Sequence, residues 1–447
     1  MTIRGRLYRT AALAVGSGWR ACLREIQSRS AVEIERDALP SILAHAVAAV
    51  PHYRDLGISD VRLEAFPLLS RETLRTEYAR LRSEDVDPRS CCRASTGGST
   101  GEPVWVLQDR AFVQWDYATE MAYLESFCGM DHREYLSARR IAVWHRRRLR
   151  PSVGLLKRLV ADLLGQVAYI EPYESLDDER LTVFLRRINR HRPAMILAFA
   201  ATLYELARHA LDAGIALHRP RFIVTSIEML FPAMRDVIER AFGCPVHNMY
   251  GAAEVGRIAA ECAHGRLHVL AHSNHVEILR EDGRVAAPGE AGRIVITSLH
   301  NRAMPLIRYD IGDLGTLSNE ACPCGSPLPV LEALRGRINE HFVRPDGRLV
   351  FGGRFIAMFY GHDWIREFQV LQETVDRVHI RFRCTPKREI PDEAIDSLTR
   401  VVQGQLGADC QVLWEEVDHI PRSPVGKHLH ARSLVWEEIG DPARLGR

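Results

Sequence analysis

Four short stretches of this chain concentrate residue types suited to holding phosphates, a nucleoside and a metal ion. The first, Ser95-Thr96-Gly97-Gly98-Ser99-Thr100-Gly101-Glu102-Pro103, packs three glycines and four hydroxyls into nine positions. Glycines let backbone N–H groups converge on an anion and hydroxyls add donors, so the composition suits a polyphosphate cradle. The GxxxxGK[ST] pattern is absent and no lysine lies near, which argues against a Walker-type ATPase or kinase. The second stretch is NMYGAAEVG, residues 248–256. Tyr250, followed by Gly251, offers a flat face for a purine, and Glu254 offers an oxygen to Mg²⁺, which binds through few carboxylates plus substrate phosphates. In the third, RYDIGDLG (308–315), two acids flank a glycine turn and can accept hydrogen bonds from the vicinal hydroxyls of a ribose. The fourth, PRSPVGKHLHAR (421–432), is a Pro- and Gly-shaped loop able to bring the Lys427 ammonium to a phosphate as a mobile point charge.

Each stretch also has a plainer reading. The first could be a surface turn, Glu254 a helix-start carboxylate favoured by the helix dipole, the Arg-Asp motif a surface pair, and Lys427 a solvated side chain. Lys157, Lys387 and Lys427 are the only lysines beside dozens of arginines. Genomic base composition explains that bias, yet a lysine that survives it is a better candidate for work a rigid guanidinium fork cannot do.

Two further features carry chemistry. Cys262-Ala263-His264 and Cys322-Pro323-Cys324 lie on loops flanking the strands of the third motif, and thiolates with imidazole are what tetrahedral Zn²⁺ prefers. His268, His272 or His275 could stand in for His264, and thiols without metal are the alternative. Four protein ligands would make the site closed, hence structural. The segment WHRRRLR, 144–150, reads as a solvated basic face or as a landing site for a phosphorylated acceptor.

The elements that must position these residues follow from periodicity. IAVW (141–144), AMILAF (194–199), RFIVTS (221–226) and PVHNMY (245–250) are short apolar runs separated by helical patterns such as Pro232 to Phe242. Such alternation predicts an α/β core with a largely parallel sheet. After Gly251 the pattern becomes hairpin-like, in HVEILREDGR and GRIVITSL, with turns at Asp282-Gly283 and Pro288-Gly289. Residues 30–81 read as helices broken by Pro40, Pro51 and Pro67. A boundary near Arg335 to Arg337 separates a large domain, 1–335, from a small α+β domain, 336–447.

Composition limits the class. A chain of 447 residues that is 46% hydrophobic and 26% charged can bury a large core. A net charge of +2 does not steer the whole molecule towards nucleic acid or an anionic membrane, so neither is expected as a partner. The first nineteen residues read as a surface helix without a convincing cleavage site, and no stretch approaches the roughly 20 apolar residues of a membrane span. A cytoplasmic protein is the expectation, with ten scattered cysteines kept reduced.

Taken in order, YRDLGI, PLLSRE, STGGSTGEP, TSIE, YGAAEVG, MPLIRYDIGD, GRINE and PRSPVGK resemble the acyl-adenylate-forming superfamily over nearly the whole chain. The likeness is to the branch of phenylacetate-CoA ligases and capsule-biosynthesis homologues. The resemblance implies a large N-terminal adenylate-forming domain and a small mobile C-terminal domain. It implies activation of a carboxylic acid by ATP and Mg²⁺ as an acyl-adenylate, then transfer to a thiol of coenzyme A or of a carrier protein. The loop with Ser99, Thr100 and Gly101 would close over the β,γ-phosphates, and Ser226, Ile227, Glu228 and Tyr250 would border adenine. Glu254 would hold Mg²⁺, Asp313 the ribose hydroxyls, and Arg337 would assist near the nucleotide. Lys427 would bridge carboxylate and α-phosphate, and Asn339 stands at the hinge, where many relatives carry Asp or Lys. Some members of the branch look similar in carrying a structural zinc. Two other outcomes remain open: an adenylating amide synthetase that uses an amine acceptor, and a silent nucleotide-binding protein, against which the joint presence of Glu254, Asp313 and Lys427 speaks. A homodimer is one assembly open to the chain.

Overall fold

Short strands separated by helices pair in parallel, because each helix returns the chain to the edge from which the last strand left. The computed structural model describes residues 18–95, 104–143, 166–169, 178–226, 228–337, 341–360, 362–385, 388–421 and 429–435. Within them β3 (Arg140–Val143), β4 (Gln166–Tyr169), β5 (Met195–Ala198), β6 (Phe222–Ser226) and β7 (Val246–Ala252) form a parallel set in the order β4-β3-β5-β6-β7. Helices at Ala200–Asp212 and Pro232–Phe242 make two of the crossovers, as their periodicity predicts.

Past β7 the sheet turns antiparallel. β8 (Gly256–Glu261) and β9 (Leu267–Val269) continue it, followed by β13 (Val330–Arg337), β12 (Tyr309–Ser318), β11 (Gly292–Ser298) and β10 (Asn274–Leu279), for eleven strands in all. β10 and β11 are the expected hairpin, with Asn274 opposite Ser298 and Leu279 opposite Arg293. Gly283 and Gly289 take φ of +80° and +84° in its connection, a conformation that favours glycine.

The amino-terminal helices close one face of this sheet. α1 (Trp19–Ser28) turns Trp19, Cys22, Leu23 and Ile26 to one side, the i, i+3, i+4, i+7 stripe. They pack with Ala118, Met121 and Leu124 of α4 (Arg110–Cys128) over Phe222, Val224, Met249 and Leu270. α2 (Ala31–Ala49) starts in a capping box of Ser30 and Glu33. Pro40 does not break it: the residue sits within the helix on its exposed side, where water can take the carbonyl that loses a donor. α3 (Arg71–Thr76) is capped by Ser70 Oγ, which accepts from Thr73 N at 3.0 Å.

The chain divides into two compact units, one of residues up to 230, 237–311 and 315–333, the other of 231–236, 312–314 and 334 onward. In the smaller unit a four-stranded sheet runs β18-β17-β16-β19, from Gln411–Glu416, Arg377–Cys384, Ile365–Thr374 and Ala431–Ser433. The helix Ala394–Leu406 buries Leu398, Val402 and Leu406 at intervals of four. No described helix is long and apolar enough to cross a membrane. The surface helix expected at the amino terminus lies outside the described residues.

Two histidines are packed into the larger unit. His300 stacks on Trp115 with ring centroids 3.8 Å apart, and its Nε2 donates to the His272 carbonyl at 2.8 Å. Burial pushes both imidazoles down to about 4, so both are neutral at pH 7. In the unfolded chain such groups titrate near ~6.5, so as pH falls from ~6.5 towards 4 the unfolded state gains protons first and stability drops. Each histidine should cost on the order of 2 kcal/mol by pH 4.5. Urea midpoints measured from pH 7 to 4.5 should fall, and the fall should shrink in His300→Gln.

Candidate functional site

After Tyr250 the chain must reverse to run back as β8, and the turn that does so carries Glu254. β7 and β8 pair with Met249 opposite Ala260, slip after Tyr250, and close with Gly251 opposite Arg257. The reversal is tight. A Cβ on Gly251 would lie 2.6 Å from the Gly256 carbonyl oxygen, and Gly256 has φ +73° with a Cβ position 2.6 Å from Asp116 Oδ1. Gly251 is therefore required by close backbone approach, and Gly256 by its positive φ and the Asp116 carboxylate beside it.

Glu254 is only 3% exposed. A carboxylate so deep needs partners, since desolvation otherwise opposes its charge. The Tyr309 hydroxyl donates to its Oε1 at 3.2 Å, and Arg71 Nη1 lies 3.6 Å from the same oxygen. Burial first, then the Glu254 charge, raises the Tyr309 phenol far above its ordinary range, so it stays a donor.

Both partners are set by backbone pairing. Leu69 N donates to Arg308 O at 2.9 Å and Asp310 N donates to Leu69 O at 3.0 Å, so PLLSRE lies along the start of β12 and turns Arg71 inward. Arg308 has φ +49°, an uncommon conformation for a residue with a side chain. It is held there by two 3.1 Å contacts from its guanidinium to Glu277 and by Thr297 Oγ1, which accepts from its N–H at 2.9 Å.

A half-buried charge cluster braces the other limb of the turn. The Arg257 guanidinium meets Asp116 and, at 2.6 Å, Glu120, while Arg257 N donates to Asp116 Oδ1 at 3.0 Å. Burial works against the Arg257 charge, but the two carboxylates outweigh it and hold the guanidinium protonated.

Tyr250, Gly251 and Glu254 thus share one turn at the carboxyl ends of the parallel strands, where open α/β sheets form their ligand crevices. Ser226 ends the neighbouring β6, opposite Met249, and Glu228 Oε2 accepts from Ala201 N at 3.2 Å at the start of the helix Ala200–Asp212 that follows β5. Ser95 ends β1 (Cys92–Ser95), opposite Trp105 of β2 (Trp105–Gln108). Asp313 lies on β12, four residues past Tyr309 and directly after Gly312, whose φ is +80°. Arg337 is the last residue of β13, its side chain outside the described set. Thr96, Gly97, Gly98, Ser99, Thr100, Gly101, Ile227, Asn339, Lys427 and the whole basic segment at 144–150 also lie outside it. Sequence patterns alone did not single out Arg71 or Tyr309, although both fall inside the motifs PLLSRE and RYDIGD.

The second cluster is Cys262, His268, Cys322 and Cys324, whose ligand atoms all lie within 4.8 Å of one another. Cys262 and Cys322 sulfurs are 3.7 Å apart and Cys324 Sγ is 3.3 Å from His268 Nε2. A disulfide needs ~2.05 Å, whereas two thiolates ~2.3 Å from one tetrahedral ion stand ~3.8 Å apart, so these residues fit a metal. His268 Nδ1 donates to the Leu328 carbonyl at 3.1 Å, which fixes the tautomer and leaves Nε2 for an ion. His264, the histidine favoured by spacing, is not in the cluster. It sits exposed on the turn closed by Gly265 N donating to Cys262 O at 3.0 Å, while β9 brings His268 back, buried, beside the thiols.

Comparison with known proteins fits this geometry. Residues 342–431 match the family model of the CapK C-terminal domain. The chain is 24% identical to Protein CapK of Staphylococcus aureus over 386 residues, covering 84% of this chain and 81% of that one. It is 28% identical to the phenylacetate-coenzyme A ligase of Thermus thermophilus over 268 residues, 54% of this chain and 60% of the ligase. Among solved structures, 2-hydroxyisobutyryl-CoA ligase in its postadenylation state has a TM-score of 0.70 at 19% identity, covering 91% of this chain and 89% of its own. An amide bond synthetase of Marinactinospora thermotolerans has 0.52 at 19% identity, covering 76% and 68%. The chain is thus similar to Protein CapK over most of its length, and its fold is shared with the 2-hydroxyisobutyryl-CoA ligase structure.

The turn supplies a direct test of its own construction. Gly256→Ala must carry a side chain at φ +73° and push against Asp116, so it should lose at least about 2 kcal/mol, read as a lowered urea midpoint with unchanged slope.

Proposed function

We propose that this protein activates a carboxylic acid with ATP, forming an acyl-adenylate and pyrophosphate, and passes the acyl group to a thiol. The observation that carries this reading is the clamped carboxylate of Glu254, held at the strand ends beside Tyr250 by Tyr309 and Arg71. The names of its relatives support it: a phenylacetate-coenzyme A ligase, and a 2-hydroxyisobutyryl-CoA ligase captured with its acyl-adenylate and with coenzyme A. A phenylacetate-like acid and coenzyme A or a carrier protein are accordingly the first substrates to try.

The chemistry is a problem of charge. A carboxylate oxygen must approach the α-phosphorus of an anionic nucleotide, form the new P–O bond, and expel pyrophosphate. Ser99, Thr100 and Gly101 hold the β,γ-phosphates, Ser226 to Glu228 and Tyr250 border the adenine, and Asp313 takes the ribose hydroxyls. Glu254 is the residue that would hold Mg²⁺, which when bound neutralises phosphate charge. Arg71, Arg337 and Lys427 add positive charge, Lys427 between the carboxylate and the α-phosphate. We assign residues 1–335 to the adenylating domain and 336–447 to a mobile domain that turns about Asn339 between the half-reactions. Cys262, His268, Cys322 and Cys324 are proposed to hold one structural Zn²⁺.

Carboxylate-dependent ATP–pyrophosphate exchange across a panel of acids tests the first half-reaction, and product masses with coenzyme A or amines present identify the acceptor. An amide in place of a thioester would move the protein to the amide synthetases, and no exchange with any acid would defeat the reading. Lys427→Ala should lower exchange by about 10²-fold or more with nucleotide binding largely kept. Elemental analysis should find one zinc per chain, and Cys322→Ser should lose it with a drop in Tm.

A further inference from the structure

The β1–β2 ribbon and the turn that carries Glu254 belong to different parts of the sequence. Residues 96–103 join β1 to β2, whose antiparallel register sets Ser95 opposite Trp105 and Cys92 opposite Gln108. Gln108 therefore stands at the foot of a ribbon whose far end is the loop, roughly 10 Å away along the strand.

That foot is fixed on three sides. Asn301, fully buried, donates from Nδ2 to the Leu107 carbonyl at 2.8 Å. Asp109 caps α4 through Phe112 N at 2.8 Å, and its Oδ2 accepts from Arg302 N and Ala303 N at 2.7 and 3.1 Å. Between them, Gln108 Nε2 donates to the Ala253 carbonyl at 2.7 Å. Ala253 immediately precedes Glu254. The other limb of that turn is held by Asp116 at Arg257 N and by Asn274 Nδ2, which donates to Val255 O and Arg257 O at 3.3 and 2.8 Å. The limb carrying Ala253 is tied at that carbonyl by Gln108.

We infer that Gln108 is a positioning residue that couples the β1–β2 ribbon to the turn aiming Glu254, so that the carboxylate keeps one position relative to that ribbon. The tie is a side-chain donor on a backbone carbonyl, so it sets where Glu254 sits without touching nucleotide or metal. Supports of this kind around a metal ligand are worth ~10- to 100-fold in metal affinity. The inference rests on the assignment of Glu254 to Mg²⁺, and its test keeps the two apart.

Gln108→Met keeps length and volume but removes the donor. Amide hydrogen exchange of the peptide spanning 249–258 reads the tie with no ligand present, and Mn²⁺ binding to the ATP complex, followed by paramagnetic resonance, reads the carboxylate. In Gln108→Met we expect faster exchange in that peptide, Mn²⁺ affinity lowered ~10-fold, and a wild-type Tm. Unchanged exchange overturns the tie. Faster exchange with wild-type Mn²⁺ affinity overturns the coupling, provided Glu254→Gln weakens Mn²⁺. If Glu254→Gln leaves Mn²⁺ affinity intact, the metal assignment of Glu254 falls, and the coupling to metal falls with it.

Discussion

Everything at the candidate site depends on keeping one carboxylate ionisable and aimed while almost wholly removed from water. Desolvating such a group costs several kcal/mol unless hydrogen bonds and opposite charge replace the lost hydration. Glu254 is surrounded accordingly: Tyr309 donates from one strand and Arg71 approaches from the start of α3. Neither partner is near Glu254 in sequence, so the sheet and the amino-terminal strap must both be complete before the site exists. The pairing of Leu69 with the segment 308–310 is what binds those two requirements into one.

The same logic explains the glycines and the charge cluster. A turn that brings a buried carboxylate to the end of a strand has little room, and Gly251 and Gly256 supply it. Arg257, gripped by Asp116 and Glu120, then fixes the limb that leaves the turn. Buried ion pairs are poor sources of stability, but they resist rearrangement because any shift would strand a charge. A rigid turn is gained, and the cluster's worth lies in geometry more than in free energy.

Much of this was legible in the sequence. The apolar runs at 141–144, 194–199, 221–226 and 245–250 gave strands, and the hairpin at 275–299 was written in its Asp-Gly and Pro-Gly turns. Tyr250, Gly251 and Glu254 could be read as one unit because they are adjacent. Arg71 and Tyr309 could not be assigned to Glu254, since the contact depends on a strand bridge between residues 240 positions apart (Leu69 with Tyr309). Three ligands of the cysteine cluster were visible in the Cys-x-Cys and Cys-x-His spacing, but the fourth was not. Spacing favoured His264, while the turn after Cys262 puts that residue outside and β9 delivers His268. Pro40 misled for a related reason: a helix survives proline where the orphaned carbonyl faces solvent, and only burial tells which side that is.

The packing of α1 has a consequence for biosynthesis. Trp19 and Leu23 find contacts in Phe222, Met249 and Leu270, roughly 200 to 250 residues further along the chain. At ordinary translation speeds the nascent chain must wait roughly 10 to 50 s before the strand side of that docking surface has been made, with α4 the only cover available earlier among these contacts. The window is one in which a chaperone that holds amino-terminal hydrophobic segments would shield the growing polypeptide from aggregation.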